Sequence, residues 1–268
     1  MTIVINCEQG TDEWKQARAG VITASRFSDA RSMVGTLTEQ QAAYVAAIKA
    51  GKPESHALEI AGYKKRPSAS GVDRALQGLP VGEPSEVSNA YARLLATERI
   101  YGAPLDDTFE TWSMRRGREL EPVARSLYEV RFGRVVMEAG ITLTDDRLFG
   151  YSTDGEVNGD PSGEDGGGEI KCPSATDKVA GVWLDPDPII AEYIDQCQGG
   201  MWINRWKWID LIVYTPWLAS VGRDLFVRRI HRDDDYINAL ELDLIAFSRR
   251  VKAIETALRQ PIAEAVAA

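Results

Sequence analysis

Residues Gly150–Ser174 read GYSTDGEVNGDPSGEDGGGEIKCPS. Two short segments with apolar residues, around Tyr151 and Ile170, flank a run of Gly, Asp and Glu that predicts a turn. A turn accounts for the glycines, but it does not account for Glu169 and Lys171, which lie two positions apart in an otherwise apolar strand. Because residues i and i+2 of a strand point to the same face, these two side chains are expected to project together.

The preceding segment ends in Asp154, which reaches the same place if the two strands pair. Two carboxylates and an ammonium group would then converge. Carboxylate oxygens suit Mg²⁺, which keeps several waters and binds against substrate phosphates. A nearby lysine can orient an attacking water or stabilise charge in the transition state. The pattern therefore predicts metal-dependent phosphodiester hydrolysis, and the alternative is an ordinary β-hairpin whose solvent face carries an unrelated Glu-x-Lys pair.

A third acid lies upstream, on a predicted helix with the sequence RRGRELEPVARSLYE. Glu121 is followed by Pro122, which removes a backbone donor and often marks a bend or a helix start. A bend would direct Glu121 towards the site. The alternative is a solvated helix face, because Arg115, Arg116 and Arg118 are its neighbours.

The composition is that of a globular protein. The chain has 268 residues, of which 44% are hydrophobic and 26% charged, enough for one large domain with its own core. The net charge of -9 argues against a protein that coats nucleic acid, but a nuclease site needs clustered carboxylates. No apolar run approaches the ~20 residues of a membrane span, and the N-terminus lacks a signal peptide. Cys7, Cys172 and Cys197 form no CxxC pair, which favours a reducing cytosol.

Helical patterns predict an α/β or α+β fold, with a central mixed β-sheet flanked by helices. The predicted helices cover about 11–19, 37–51, 89–101, 112–132, 188–203 and 233–258. The predicted strands cover 135–156, the EIKCP segment after a Gly-rich loop, and two β-rich segments, WKWIDLIVYTPW and DLFVRRIHR. Residues 52–88, rich in Gly, Pro and Ser, are predicted to be a flexible insertion with short helical pieces.

Five segments occur in a recognisable order: GTDEWKQARAGVITAS, RGRELEPVARSLYE, GYSTDGEV, GEIKCPS and EYIDQCQGGMWI. Together they resemble the phage-lambda-type exonuclease family, also called YqaJ-like viral recombinases, within the PD-(D/E)xK nuclease superfamily. The resemblance runs from about residue 10 to residue 213 and is interrupted at 52–88. It implies a restriction-endonuclease-like core and a single nuclease domain over residues 1–268.

The activity that this resemblance implies is a 5′→3′ exonuclease. Such an enzyme digests one strand of linear double-stranded DNA processively and leaves a 3′ single-stranded tail for recombination. The resemblance also implies two Mg²⁺ ions, which Mn²⁺ can replace, and often a homotrimeric ring. A single-strand annealing protein is an expected partner, and the expected location is the cytoplasm of a bacterial host, with the gene carried by a phage or prophage.

The resemblance assigns roles to residues of the site. Asp154, Glu169 and Glu121 resemble metal ligands, and the backbone carbonyl of Ile170 resembles a further ligand. Lys171 resembles the catalytic lysine.

The resemblance also implies a site for the 5′-terminal phosphate of DNA. Arg18 and Ser25 resemble the pair that binds it, since exposed N–H groups at a helix N-terminus favour an anion and arginine adds bidentate charge. Gln196 and Tyr193 match a YxxQ pattern next to the active site, and Ser152 is expected there as well. Without the resemblance, Arg18 would be an ordinary solvated residue, Ser25 a helix cap and Gln196 a buried amide.

Two other functions stay open. A related endonuclease would nick covalently closed circular DNA, although the iron–sulfur type needs four cysteines and this chain has 3. A catalytically silent scaffold that binds DNA ends would release no nucleotides.

Two features depart from the family pattern. The loop between Asp154 and Glu169 is long, and Glu164 and Asp165 within it are alternative ligands. The basic run Lys64–Arg66 lies outside the motifs and could contact DNA.

Overall fold

The structure is a computed structural model that describes residues 2–68, 70–105 and 112–261. The chain separates into two compact units, one formed by Met1–Ala30 with Tyr91–Ala268 and the other by Arg31–Ala90. The sequence analysis treated residues 1–268 as one domain, whereas the structure separates Arg31–Ala90 as a unit of its own.

Helices and strands are mixed along the chain. The helices are α1 (Asp12–Arg18), α2 (Phe27–Ala30), α3 (Glu39–Lys49), α4 (Glu54–Ile60), α5 (Ser70–Leu76), α6 (Glu86–Tyr101), α7 (Trp112–Phe132), α8 (Thr176–Leu184), α9 (Asp187–Asn204) and α10 (Asp234–Leu258). The strands are β1 (Thr2–Ile5), β2 (Ile22–Thr23), β3 (Met33–Val34), β4 (Glu83–Pro84), β5 (Val135–Met137), β6 (Ile141–Thr144), β7 (Phe149–Tyr151), β8 (Gly155–Asn158), β9 (Gly166–Lys171), β10 (Trp208–Tyr214) and β11 (Leu225–His231). Two 3₁₀ helices cover Ala24–Arg26 and Pro216–Val221.

The unit Arg31–Ala90 has its own apolar cluster, in which Tyr44 of α3, Ala57 of α4 and Val72 of α5 are buried. The segment 52–88, predicted as a flexible insertion with short helical pieces, contains α4, α5 and β4. The segment was predicted as a loop from its Gly and Pro residues. Its apolar residues, however, pack inwards and hold the short helices together. Arg66, from the basic run, is paired with Asp73 at 2.6 Å.

The larger unit contains two sheets, and the predicted mixed α/β fold is confirmed. The main sheet has the strand order β11-β10-β9-β8-β5, in which β9 and β10 are parallel and the other pairs antiparallel. The second sheet has the order β1-β6-β7-β2. Residues of α9 and α10, including Met201, Leu240, Leu244 and Phe247, are buried in the largest apolar cluster. Strand β9 is the third of the five strands of the main sheet and so lies at its centre.

Strand β9 begins with three glycines that the sequence analysis assigned to a loop, and that assignment was wrong. A Cβ atom on Gly166 would lie 2.3 Å from the ring of Trp208, and one on Gly167 would lie 2.1 Å from the ring of Trp206. Real side chains cannot approach so closely, so only glycine lets the two indole rings pack against this strand. The hairpin then pairs Gly155 of β8 with Gly168 of β9.

Helix α7 has the predicted bounds and runs through Pro122, so the proline marks no helix start. The C-terminal helix expected at about 233–258 is observed as α10. The sequence analysis assigned no element to α8. No helix within the described ranges is both long and apolar enough to cross a bilayer.

The glycines of β9 yield a stability prediction. We expect Gly167→Ala to lower the free energy of unfolding by about 1–3 kcal/mol, because the added methyl group collides with the Trp206 ring. The matched control is Gly181→Ala in α8, where a Cβ atom meets nothing within 4 Å. This control should raise the free energy of unfolding by about 0.5–1 kcal/mol, because alanine favours a helix. Denaturant titration measures both, and wild-type stability in Gly167→Ala would contradict the packing.

Candidate active site

The carboxylate of Glu169 is buried and fully partnered. Its side chain is 1% exposed. Oε1 accepts hydrogen bonds from Lys171 Nζ at 2.7 Å and from Gln196 Nε2 at 2.6 Å, and Oε2 accepts one from the Tyr151 hydroxyl at 2.9 Å. These partners come from β9, α9 and β7. The alternative of an unrelated Glu-x-Lys pair on a solvated hairpin is therefore excluded.

The ammonium group of Lys171 is held between negative and aromatic groups. Its side chain is 22% exposed, and Nζ lies 4.8 Å from the centroid of the Tyr193 ring. Burial alone would lower the pKa of Lys171, but the carboxylates of Glu169 and Asp154 outweigh it and the pKa is raised. The lysine is therefore positively charged at neutral pH and donates a hydrogen bond to Glu169.

Asp154 lies beside the same end of β9. Its Oδ2 accepts a hydrogen bond from the backbone N–H of Ile170 at 2.6 Å. The N–H and C=O groups of one strand residue point to the same side, so the Ile170 carbonyl also faces the side of Asp154. This position lies beyond Gly155↔Gly168, the last pair between β8 and β9 in that direction. Burial, and then the charges of Glu169 and Glu121, raise the pKa of Asp154 well above its ordinary value.

Glu121 approaches the site from α7. Its Oε1 accepts a hydrogen bond from Arg125 Nη2 at 2.7 Å, and Arg125 also bonds Glu138. Burial raises the pKa of Glu121, the charge of Glu169 adds to this, and Arg125 opposes it. The structure thus brings Glu121, Asp154, Glu169 and Lys171 within electrostatic range of one another.

The donors of this group fit a hard divalent cation. Three carboxylates and a backbone carbonyl supply oxygen ligands of the kind that Mg²⁺ takes. Burial, and to a smaller extent the charge of neighbouring acids, raises the pKa values of Asp154 and Glu121, and a bound cation would offset both effects. Within the described residues, no three His, Cys, Asp or Glu side chains are already grouped so that they could hold an ion. The carboxylates instead face Lys171, Arg125 and the backbone of β9.

A cavity of about 980 Å³ reaches two acids of this group, since Glu121 and Asp154, with Thr153, are among its lining residues. The alternative metal ligands, Glu164 and Asp165, lie away from this site. Glu164 and Asp165 precede β9 at the end opposite Lys171, and the backbone carbonyl of Glu164 accepts a hydrogen bond from Trp208 Nε1 at 3.3 Å.

Arg18 and Ser25 are brought together through a residue that the sequence analysis missed. Arg18 Nη2 lies 3.4 Å from the hydroxyl oxygen of Thr23, which lies 3.4 Å from that of Ser25. The guanidinium carbon of Arg18 stacks 4.1 Å from the ring centroid of Trp14. Ser25 lies inside the 3₁₀ helix Ala24–Arg26, so the prediction that it caps a helix was wrong.

Residues around the candidate catalytic group form further hydrogen bonds that hold it in place. Ser152, expected in the active site, accepts a hydrogen bond from Trp14 Nε1 at 2.8 Å and so connects the Arg18 region to the end of β7. Sequence reasoning missed Tyr151 and Arg125, the partners of Glu169 and Glu121. The sequence offered a signal for Arg125, because it lies four positions after Glu121 and residues four apart on a helix are neighbours. Tyr151 lies three positions before Asp154, in the same predicted strand region.

Comparisons with known proteins identify the family and related folds. The family model of the YqaJ-like viral recombinase domain matches residues 13–206. An alkaline exonuclease, LHK-Exo from Laribacter hongkongensis, is 27% identical over 93% of this chain and 96% of its own, with a TM-score of 0.63. Its structure in complex with dAMP matches equally well. A phage-related exonuclease from Haemophilus somnus shares the fold at 14% identity, with 89% and 96% of the two chains covered and a TM-score of 0.56. No curated protein matches significantly.

The two aspartates of this region should respond oppositely to loss of charge. In metal-free buffer we expect Asp154→Asn to raise the free energy of unfolding by about 1 kcal/mol or more, because it removes a buried, repelled charge. The matched control is Asp160, whose carboxylate is held by Arg134 at 3.0 Å and Arg229 at 2.8 Å. Asp160→Asn should lower the free energy of unfolding by about 3 kcal/mol, because Arg134 and Arg229 each lose a carboxylate partner, although Arg229 retains Asp210.

The pH dependence follows from the same shifts. The folded-state pKa of Asp154 is raised, so its ionisation lowers stability as pH rises from about 3.9 towards the raised value. The pKa of Asp160 is lowered, so its stabilising effect is present above about 3.9 and is lost as pH falls through the lowered value. Thermal melts of both variants at several pH values measure this pH dependence of stability. If Asp154→Asn were less stable than the wild type, the interpretation that Asp154 lacks compensating positive charge would be contradicted.

Proposed function

The chain belongs to the YqaJ-like viral recombinase family, and we propose on that basis that it is a Mg²⁺-dependent exonuclease acting on linear double-stranded DNA. The observation that carries the proposal is the group at the end of β9, where Lys171 and Glu169 meet Asp154 and Glu121. Acids that repel one another beside a protonated lysine match the chemistry of phosphodiester hydrolysis. The similarity to an alkaline exonuclease supports the same reaction class.

The residues of the site have different proposed roles in hydrolysis. Asp154, Glu169, Glu121 and the Ile170 carbonyl would hold Mg²⁺, which activates a water and neutralises phosphate charge when bound. Lys171 is positively charged and would donate a hydrogen bond to the reacting phosphate or orient the attacking water.

Three neighbours keep this arrangement in place. Gln196 and Tyr151 fix the orientation of Glu169 by occupying one lone pair on each of its oxygens. The Tyr193 ring lies against the Lys171 ammonium group and favours its charged form. These residues act on the reaction by positioning the groups that touch the substrate.

The 5′→3′ direction of digestion is part of the proposal. Arg18, Thr23 and Ser25 offer a guanidinium and two hydroxyl groups within a short distance, which suits a terminal phosphate. The Trp14–Ser152 hydrogen bond links the helix that carries Arg18 to the strand end that precedes Asp154. A phosphate bound at Arg18 would therefore set how far the DNA end extends into the site.

The wider assembly rests on family membership alone. We include in the proposal a homotrimeric ring, a single-strand annealing partner and a phage- or prophage-encoded origin in the bacterial cytoplasm. Mn²⁺ is included as a replacement for Mg²⁺, and two ions are expected per site.

Loss of the charged groups should abolish hydrolysis. We expect Lys171→Ala and Glu169→Gln each to lower the rate of nucleotide release from linear duplex at least ~100-fold, because the first removes a cation beside the reacting phosphate and the second removes a charged metal ligand. Binding of duplex DNA should be retained, since both changes leave Arg18, Thr23 and Ser25, the proposed contacts to the terminal phosphate, in place. Release of acid-soluble nucleotides with Mg²⁺ and with EDTA measures the first effect, and fluorescence anisotropy measures the second.

A covalently closed circular duplex separates the competing functions. The proposed enzyme leaves it intact while it digests the linear form. Nicking of the circle would identify an endonuclease, and binding of linear DNA without any Mg²⁺-dependent release would identify a silent scaffold. Lys252→Ala, a change at an exposed lysine of α10 that pairs with Glu255, should digest like the wild type.

Arg18 should control the preference for phosphorylated ends. We expect Arg18→Ala to remove the faster digestion of 5′-phosphorylated over 5′-hydroxyl duplex, because the cation that contacts the phosphate is lost. Arg18→Lys should retain part of the preference, since lysine keeps the charge but not the bidentate geometry or the stacking on Trp14. Initial rates on the two end types measure the ratio, and an unchanged ratio in Arg18→Ala would refute the assignment.

A further inference from the structure

Three residues outside the proposed catalytic group form an exposed cluster, called here the Trp–Arg–Trp cluster: Trp112, Arg116 and Trp217. The guanidinium carbon of Arg116 lies 4.6 Å from the ring centroid of Trp217 and 5.5 Å from that of Trp112. The side of the chain that carries them is open to solvent, since Trp217 is 50% and Trp112 is 62% exposed. The other five tryptophans are buried or half-buried.

The cation of this cluster has no acidic partner in the part of the chain that the structure describes. The buried Nε of Arg116 has no hydrogen-bond partner among the described residues. No carboxylate of the described chain forms an ion pair with its guanidinium group, in contrast to Arg125, which bonds Glu121 and Glu138. A cation that no carboxylate of the described chain pairs, placed between two solvent-exposed aromatic rings, is suited to a ligand that offers both negative charge and flat apolar surface.

The cluster lies at the sheet edge that carries the proposed catalytic lysine. Strands β9 and β10 are parallel, and Lys171 is paired with Val213, so both strands end at the same edge. Trp217 lies in the 3₁₀ helix that follows β10 directly. Arg116 lies on α7, five positions before Glu121, and α7 packs on β9 and β10. Ligands of open α/β sheets bind at such carboxyl ends of strands.

We propose that the Trp–Arg–Trp cluster binds an unpaired nucleotide of single-stranded DNA next to the cleavage site. A base stacks on the exposed Trp217 ring, and Arg116 donates hydrogen bonds to a phosphate oxygen. Stacking on aromatic rings tolerates every base, which suits an enzyme that must advance along any sequence. This inference rests on the proposed function, and it adds a binding site for the strand that digestion leaves unpaired.

The test is the binding of a fluorescein-labelled oligothymidylate in EDTA, where no hydrolysis occurs. We expect Trp217→Ala to weaken binding about 5- to 100-fold, the range for loss of one stacked base, and Trp217→Phe to retain most of the affinity. Arg116→Ala should reduce the slope of log affinity against log salt by about 0.7, the value for one phosphate contact on a single strand. Trp112→Ala provides an independent variant should Trp217→Ala fail to fold.

The control is Val130→Ala, an 82% exposed position on α7, which should bind like the wild type. Wild-type affinity in both folded tryptophan variants would overturn the inference. A change in oligomeric state, measured by light scattering, with unchanged oligothymidylate affinity would also overturn it and identify the cluster as a contact between copies of the chain. Failure of hydrolysis in the wild type would refute the nuclease instead, because it leaves the binding measurement unaffected.

Discussion

The buried carboxylate of Glu169 is the interaction on which the rest of the site depends. A charge removed from water costs several kcal/mol unless opposite charge and hydrogen bonds compensate it. Here the compensation comes from Lys171 on the same strand, Gln196 on α9 and Tyr151 on β7. The two sheets and α9 must therefore meet at one point for the fold to tolerate this acid. The same contacts that satisfy Glu169 also fix the position of the proposed catalytic lysine.

The first half of β9 makes that meeting point possible. Its glycines let Trp206 and Trp208 pack directly against the strand, so β9 remains at the centre of the main sheet without side chains of its own there. Its second half then carries Glu169 and Lys171 at the end of the strand, next to Asp154. One short strand thus combines a part that only packs with a part that carries charge.

The sequence predicted what depends on local geometry. The shared face of Glu169 and Lys171 follows from the two-residue period of a strand, and the helix bearing Glu121 follows from its 3.6-residue period. The three glycines were misassigned because glycine in a loop and glycine beneath an indole ring look alike until the partner ring is known. Thr23, which joins Arg18 to Ser25, was missed because its role depends on how the chain turns between α1 and the following 3₁₀ helix.

Two aspartates of one hairpin show why the site is interpreted as functional. Asp160 has two arginine partners and a lowered pKa, which is how a folded protein normally treats a buried acid. Asp154 lies six residues earlier, yet it faces two further acids and its pKa is raised. An arginine or a second lysine near Asp154 would satisfy the fold, and the larger unit supplies such partners elsewhere. The acids around Asp154 thus still repel one another, beside a lysine and a large cavity. This repulsion has a physical reason if the missing positive charge is a metal ion that binds together with the phosphate of DNA.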